Sequence, residues 1–105
     1  MLGSPADRCV LIAERNQHLV GMVTAQLVVS TAEGGLSAWI EDMVVAEEFR
    51  RKGIGCTLLD AMSAWAAEHG ATRLQLLADR TNEPALRFYE RMGWRQTRLV
   101  CLRKG

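Results

Sequence analysis

The run Arg50-Arg51-Lys52-Gly53-Ile54-Gly55-Cys56 is the part of the chain best suited to chemistry. Glycines let backbone N–H groups come close to an anion. A helix that opens here would leave its first N–H groups without partners and present the positive end of its dipole. The consecutive cations Arg50, Arg51 and Lys52 add attraction at longer range. The chemistry this favours is the holding of a phosphate-like anion. The same glycines also serve a bare turn between strand and helix, and the segment alone does not choose. Two known phosphate loops are excluded. The P-loop pattern is absent, and Leu58 stands where a dinucleotide fingerprint carries its third glycine. A second notable pair is Glu41-Asp42, two carboxylates inside an otherwise apolar stretch.

The elements that must position these residues follow from the apolar pattern. Residues 9–14, Cys-Val-Leu-Ile-Ala-Glu, read as a strand, Arg15-Asn16-Gln17-His18 as a turn, and Leu19 to Ser30 as the returning strand. Gly21 within it points to a bulge or a close backbone approach. Thr31-Ala32-Glu33-Gly34-Gly35 is a second turn, and Leu36 to Val45 a third strand. Strict alternation sets Ala38, Ile40, Asp42 and Val44 on one face, and Trp39, Glu41, Met43 and Val45 on the other. Glu41 and Asp42 then oppose each other unless a bulge intervenes. A polar loop, Ala46 to Lys52, leads to Gly53-Ile54-Gly55 and a helix with Ile54, Leu58, Met62 and Trp65 at helical spacing, ending at Gly70. Arg73 to Ala78 reads as a fourth strand, parallel to the third because a helical crossover joins them. Asn82 caps a second helix bearing Leu86, Phe88, Tyr89 and Met92 and closed by Gly93. Trp94 to Arg103 reads as a closing β segment. The pattern predicts one α+β domain over residues 1–105, an antiparallel meander continuing into a parallel crossover.

Composition narrows the class. The chain has 105 residues, 49% hydrophobic and 24% charged, which is ordinary globular usage and excludes disorder. No apolar run approaches the roughly 20 residues of a membrane helix. The N-terminus shows no apolar signal region, so a cytoplasmic location is the default expectation. A net charge of +1 gives no reason to expect nucleic acid or a membrane surface as partner. Cys9, Cys56 and Cys101 are far apart, and His18 and His69 are isolated, so neither a disulfide framework nor a metal site is expected.

The two helix-opening segments together resemble a known family. Arg50, Gly53 and Gly55 fit the central motif of the GNAT N-acetyltransferase superfamily, in which Arg or Gln is followed by Gly-x-Gly or Gly-x-Ala after two residues. The preceding Ile40-Glu41-Asp42-Met43-Val44-Val45 resembles the strand that enters that motif. The stretch from Asn82 through Phe88-Tyr89 to Gly93-Trp94 is similar to the family's second motif. The likeness covers roughly residues 10–103, in matching order. It implies a GNAT-like fold, with acetyl-CoA as cosubstrate and a small-molecule or peptide amine as acceptor.

By resemblance, backbone N–H groups from Arg51, Lys52, Gly53, Ile54, Gly55 and Cys56 hold the CoA pyrophosphate, with Arg50 opening the motif. Backbone groups of Met43, Val44 and Val45 pair with the pantetheine arm like an added strand. Asn82 hydrogen-bonds the arm from the far side. Tyr89 is the implied general acid, since a phenol with a pKa of about 10 is well matched to a departing thiol of about 8.5. Its plainer reading is a core aromatic beside Phe88. Glu41 is the candidate base for the attacking amine, directly or through water, with Asp42 second. A backbone N–H near Val44 or Val45 would stabilise the oxyanion. Cys56, although at a helix start, reads as a small packed residue beside the pyrophosphate rather than a nucleophile.

The family usually carries a strand and one or two helices before the first hairpin, whereas eight residues precede Cys9 here. A compact natural form, a fragment or alternative start, and a second copy covering the sheet edge as a homodimer all remain open. The shortfall falls on the acceptor side. It keeps two alternatives to an enzyme in play: a non-catalytic acyl-CoA-binding or regulatory module, and a structural partner domain.

Overall fold

A computed structural model describes residues 7–29 and 34–105. Strands β1 (Arg8–Arg15) and β2 (His18–Val29) form a hairpin closed at Asn16-Gln17. Both turn residues have positive φ, 52° and 67°, which matches the turn to the right-handed twist of its strands. Strand β2 pairs antiparallel with β3 (Leu36–Val45), and β3 pairs parallel with β4 (Ala71–Leu76), giving the sheet order β1-β2-β3-β4. Helix α1 (Ile54–Glu68) makes the crossover from β3 to β4 after a short 3-10 turn at Glu47–Phe49. Helix α2 (Glu83–Arg91) follows β4. The α+β class, the meander and the parallel crossover are as the sequence predicts.

Three expectations change. The fourth strand starts and ends two residues earlier than Arg73–Ala78, directly after Gly70. No strand forms in Trp94 to Arg103, and residues 95–105 are exposed. The alternation along β3 also breaks. Thr24 stands opposite Asp42 and Ala25 opposite Ile40, which leaves Glu41 as an extra residue, a β-bulge. Ile40 and Met43 therefore share the core face, while Asp42 faces the other way beside Thr24. Met1 to Ala6, Ser30 at the end of the second expected strand, and Thr31-Ala32-Glu33 of the second expected turn lie outside the described residues.

The core gathers Val23 and Ala25 of β2, Ile40 of β3, and Leu58, Leu59 and Met62 of α1. Burial of each larger side chain contributes about 1.5–3 kcal/mol. Leu11, Leu74, Leu76, Phe88, Tyr89, Met92 and Trp94 pack around this cluster, so both described helices lie on one face of the sheet. On the opposite face Ile12, Met22 and Val44 form one row across three strands, and Val10, Thr24 and Asp42 the next. Ile12 is 52% exposed there and Val44 54%.

Candidate active site

The glycine turn after β3 opens α1 as the sequence predicts. Gly53 caps the helix with φ 82° and ψ 2°, a left-handed conformation natural to glycine. Thr57 N–H donates to the Gly53 carbonyl at 3.0 Å, the first turn of the helical ladder. The N–H groups of Gly53, Ile54, Gly55 and Cys56 come before it and have no partner inside the helix. No side chain caps this end, and no acidic residue stands in the first turn. The result is a set of backbone donors at the positive end of a 15-residue helix.

The three cations divide their work. Arg50 turns back, and its Nε donates to the Val45 carbonyl at 3.1 Å, fastening the loop to the end of β3. Lys52 Nζ lies 5.7 Å from the Phe49 ring centre, and Arg15 Cζ 5.5 Å from it. Both are within cation–π range. Arg51 has φ 66° and is exposed. Nothing in the residue pattern marks Arg50 as a latch or Phe49 as a seat for cations, because both contacts depend on how the loop folds.

Beside the turn the sheet opens. The last β3–β4 pair is Ile40 with Leu76, yet β3 continues along β2 as far as Val45 opposite Gly21. From Glu41 to Val45 the other side of β3 has no strand partner among the described residues. The bulge at Glu41 directly follows the last pair. A bulge bends its strand and increases its twist, so it accounts for β3 parting from β4 at this point. The backbone of Met43, Val44 and Val45 thus lines an opening beside the α1 N-terminus.

Helix α2 brings the aromatic residues to the same place. A methyl group on Gly55 would lie 3.2 Å from Phe88 Cζ and 3.4 Å from Met43 Cε, so β3, α1 and α2 meet at that glycine. Asn82 Oδ1 accepts from Ala85 N–H at 3.2 Å and caps α2. Its carbonyl is thereby occupied, and its amide NH2 remains the group able to donate. At the other end, Trp94 N–H donates to the Tyr89 carbonyl at 2.9 Å across Gly93, whose φ is 92°. This is the six-to-one bond of a Schellman ending, and it ties Trp94 to Tyr89. The Tyr89 ring lies 5.3 Å from Phe88 and 5.9 Å from Trp94. Burial raises the Tyr89 pKa above the ordinary phenol value, so the hydroxyl holds its proton at neutral pH.

Glu41 is exposed at the bulge, and Thr24 Oγ1 donates to Asp42 Oδ2 at 3.3 Å. Cys56 is half-buried in the first turn of α1, and His18 and His69 are exposed. Among the described residues no group of three or more His, Cys, Asp and Glu is placed to hold a metal, and no helix is long and apolar enough to cross a membrane.

Comparison with known proteins matches this geometry to a family. The model of the acetyltransferase (GNAT) family fits residues 2–94. The chain belongs to the GNAT acetyltransferase family. It is 39% identical over 68 residues to the L-ornithine N5-acetyltransferase of Arabidopsis thaliana, covering 59% of this chain and 30% of that protein. It is 43% identical over 63 residues to the streptothricin acetyltransferase of Streptomyces lavendulae, covering 55% of this chain and 33% of that protein. Among solved structures it superposes on a transcriptional regulator from Bacillus halodurans C-125 with a TM-score of 0.83 and 28% identity, covering 94% of this chain and 66% of that one. This GNAT chain therefore spans about a third of the length of those two relatives. The fold is that of GNAT acetyltransferases.

Proposed function

We propose that this chain carries the acetyl-CoA site of an N-acetyltransferase that moves the acetyl group to a primary amine by direct attack. The observation that carries this reading is the coincidence of two features. Free backbone donors of the α1 N-terminus suit a pyrophosphate, and they adjoin the unpaired stretch of β3, which suits the amide groups of a pantetheine arm. The named substrates of the two relatives, ornithine and streptothricin, support an amine acceptor.

In this reading the amine nitrogen attacks the thioester carbonyl. The new C–N bond forms, and the C–S bond breaks. Tyr89 gives its phenolic proton to the departing thiolate sulfur, and Glu41, directly or through water, takes the proton lost by the amine. A backbone N–H near Val44 or Val45 stabilises the oxyanion between these events.

The test incubates the purified chain with acetyl-CoA and a panel of small amines, lysine peptides and N-terminal peptides, and follows free CoA. Turnover is expected with at least one amine. Tyr89→Phe should then turn over more slowly with nearly unchanged acetyl-CoA affinity, and equal rates would remove Tyr89 from the mechanism. Binding without turnover would leave an acyl-CoA-binding module. Absence of binding would refute the site.

A further inference from the structure

The edge of the sheet at β1 is open and unguarded. Strand β1 stands first in the sheet order, and no strand pairs with its outer side among the described residues. Proteins protect such edges with short strands, Pro, Lys or bulges. β1 has eight residues and contains neither Pro nor Lys. Its register shift places the extra residue, Val20, on β2 and leaves β1 itself unbroken. Every second residue of β1 therefore turns its N–H and C=O outward in a regular row.

In the antiparallel sense this strand is complementary to itself. With Leu11 opposite Leu11 of a second copy, Val10 meets Ile12 and Arg8 meets Glu14, each pair occurring twice. These four side chains alternate with Cys9, Leu11 and Ala13, which pack toward the core, so they lie on the face away from the helices. All four are exposed, Val10 at 63%. On the helix face, Cys9 meets Ala13, and the two Leu11 side chains meet each other. A groove of about 430 Å³ between β1 and α1, lined by Leu11, Ala13, Ile54, Leu58 and Ala61 among others, leaves room there for Leu11 of the second copy. A one-residue slip would turn every side chain to the wrong face. A two-residue shift keeps the faces but sets Arg8 against Ile12, or Val10 against Glu14. The register centred on Leu11 matches apolar with apolar and cation with anion.

We propose that two copies of this chain join through β1, antiparallel about a two-fold axis at Leu11, so that their four-stranded sheets become one. The same patch serves on both sides, so the contact closes at two copies. Ladder hydrogen bonds hold the backbones together. Val10 and Ile12 of opposite copies shield each other from water, and Arg8 and Glu14 fix the register. Added salt screens the two ion pairs and weakens the association. The contact does not depend on acetyl transfer.

Sedimentation velocity of the full chain across a concentration series tests this, with Arg8→Glu, Glu14→Arg and the double exchange alongside. A dimer is expected for the wild type. Either single exchange sets like charges opposite each other twice and should weaken the dimer about tenfold. The double exchange restores opposite charges in the same register and should return the affinity to within about twofold of the wild type. The circular dichroism signal should be unchanged throughout, because both side chains are exposed. A chain that stays monomeric at the highest concentration overturns the proposal. So does a dimer that both single exchanges leave intact, or a double exchange as weak as the singles.

Discussion

Adding one methyl group at Gly21 should loosen both the fold and the anion cradle. An alanine Cβ there would lie 3.1 Å from Ile54 Cγ2, 3.1 Å from Leu58 Cδ1 and 3.3 Å from the Val44 carbonyl oxygen. Carbon atoms settle at about 3.5–4.0 Å, so the first two contacts overlap by about half an ångström. Two of the obstacles are side-chain tips, but the third is the backbone of the neighbouring strand. Overpacking of this kind costs about 1–3 kcal/mol. Lower entropy of the unfolded alanine chain offsets about 0.4–1 kcal/mol. The net is a loss of about 1–2 kcal/mol, which at about 4–8 °C per kcal/mol for a domain near this size lowers the melting temperature by about 5–15 °C. Ile54 is the first residue of α1, so the helix start must move away from the sheet. Acetyl-CoA affinity should therefore fall as well. Thermal unfolding by circular dichroism and titration calorimetry read the two effects. An unchanged or raised melting temperature would refute the claim that α1 rests directly on the β2 backbone.

Three other outcomes are expected. Gly53→Ala meets no atom within 4 Å but must hold φ 82°; denaturant unfolding should show a loss of about 1–2 kcal/mol, and less for Gly53→Asn, whose side chain tolerates that backbone. Asn82→Ala deletes the cap bond to Ala85 N–H and should cost about 1 kcal/mol by the same measurement. Folding favours the protonated form of Tyr89, whose pKa burial raises. Its contribution is therefore complete below the ordinary phenol value of about 10 and is lost as pH rises through the folded pKa. Stability against pH should decline in that alkaline window for the wild type and less steeply for Tyr89→Phe, and kcat/KM should keep its acid in place up to the same window.

The sequence carried local information well and relational information poorly. Leu36 to Val45 reads as a strand from its own residues, and the structure keeps both ends. The Gly53-Ile54-Gly55 opening and the Asn82 cap are equally local, since both depend on backbone donors within a few residues. The bulge at Glu41 depends on which residue of β2 stands opposite, and no pattern along β3 alone records that. The early end of β4 follows from the same bulge. The closing β segment reads as strand by composition, but strand composition creates no pairing, and none of residues 94–103 joins a strand ladder among the described residues. Arg50 was legible as a cation but not as the clasp on Val45.

The bulge has one more consequence. Remove Glu41 from β3 and what remains, Ile40-Asp42-Met43-Val44-Val45, alternates without a fault and leaves the same side chains on the core. The extra backbone unit parts β3 from β4, but the Glu41 side chain is exposed and has no place in the packing. A position that packing neither needs nor constrains is one where a side chain can be exchanged freely. The side chain of Glu41 can therefore change while the scaffold beneath stays fixed.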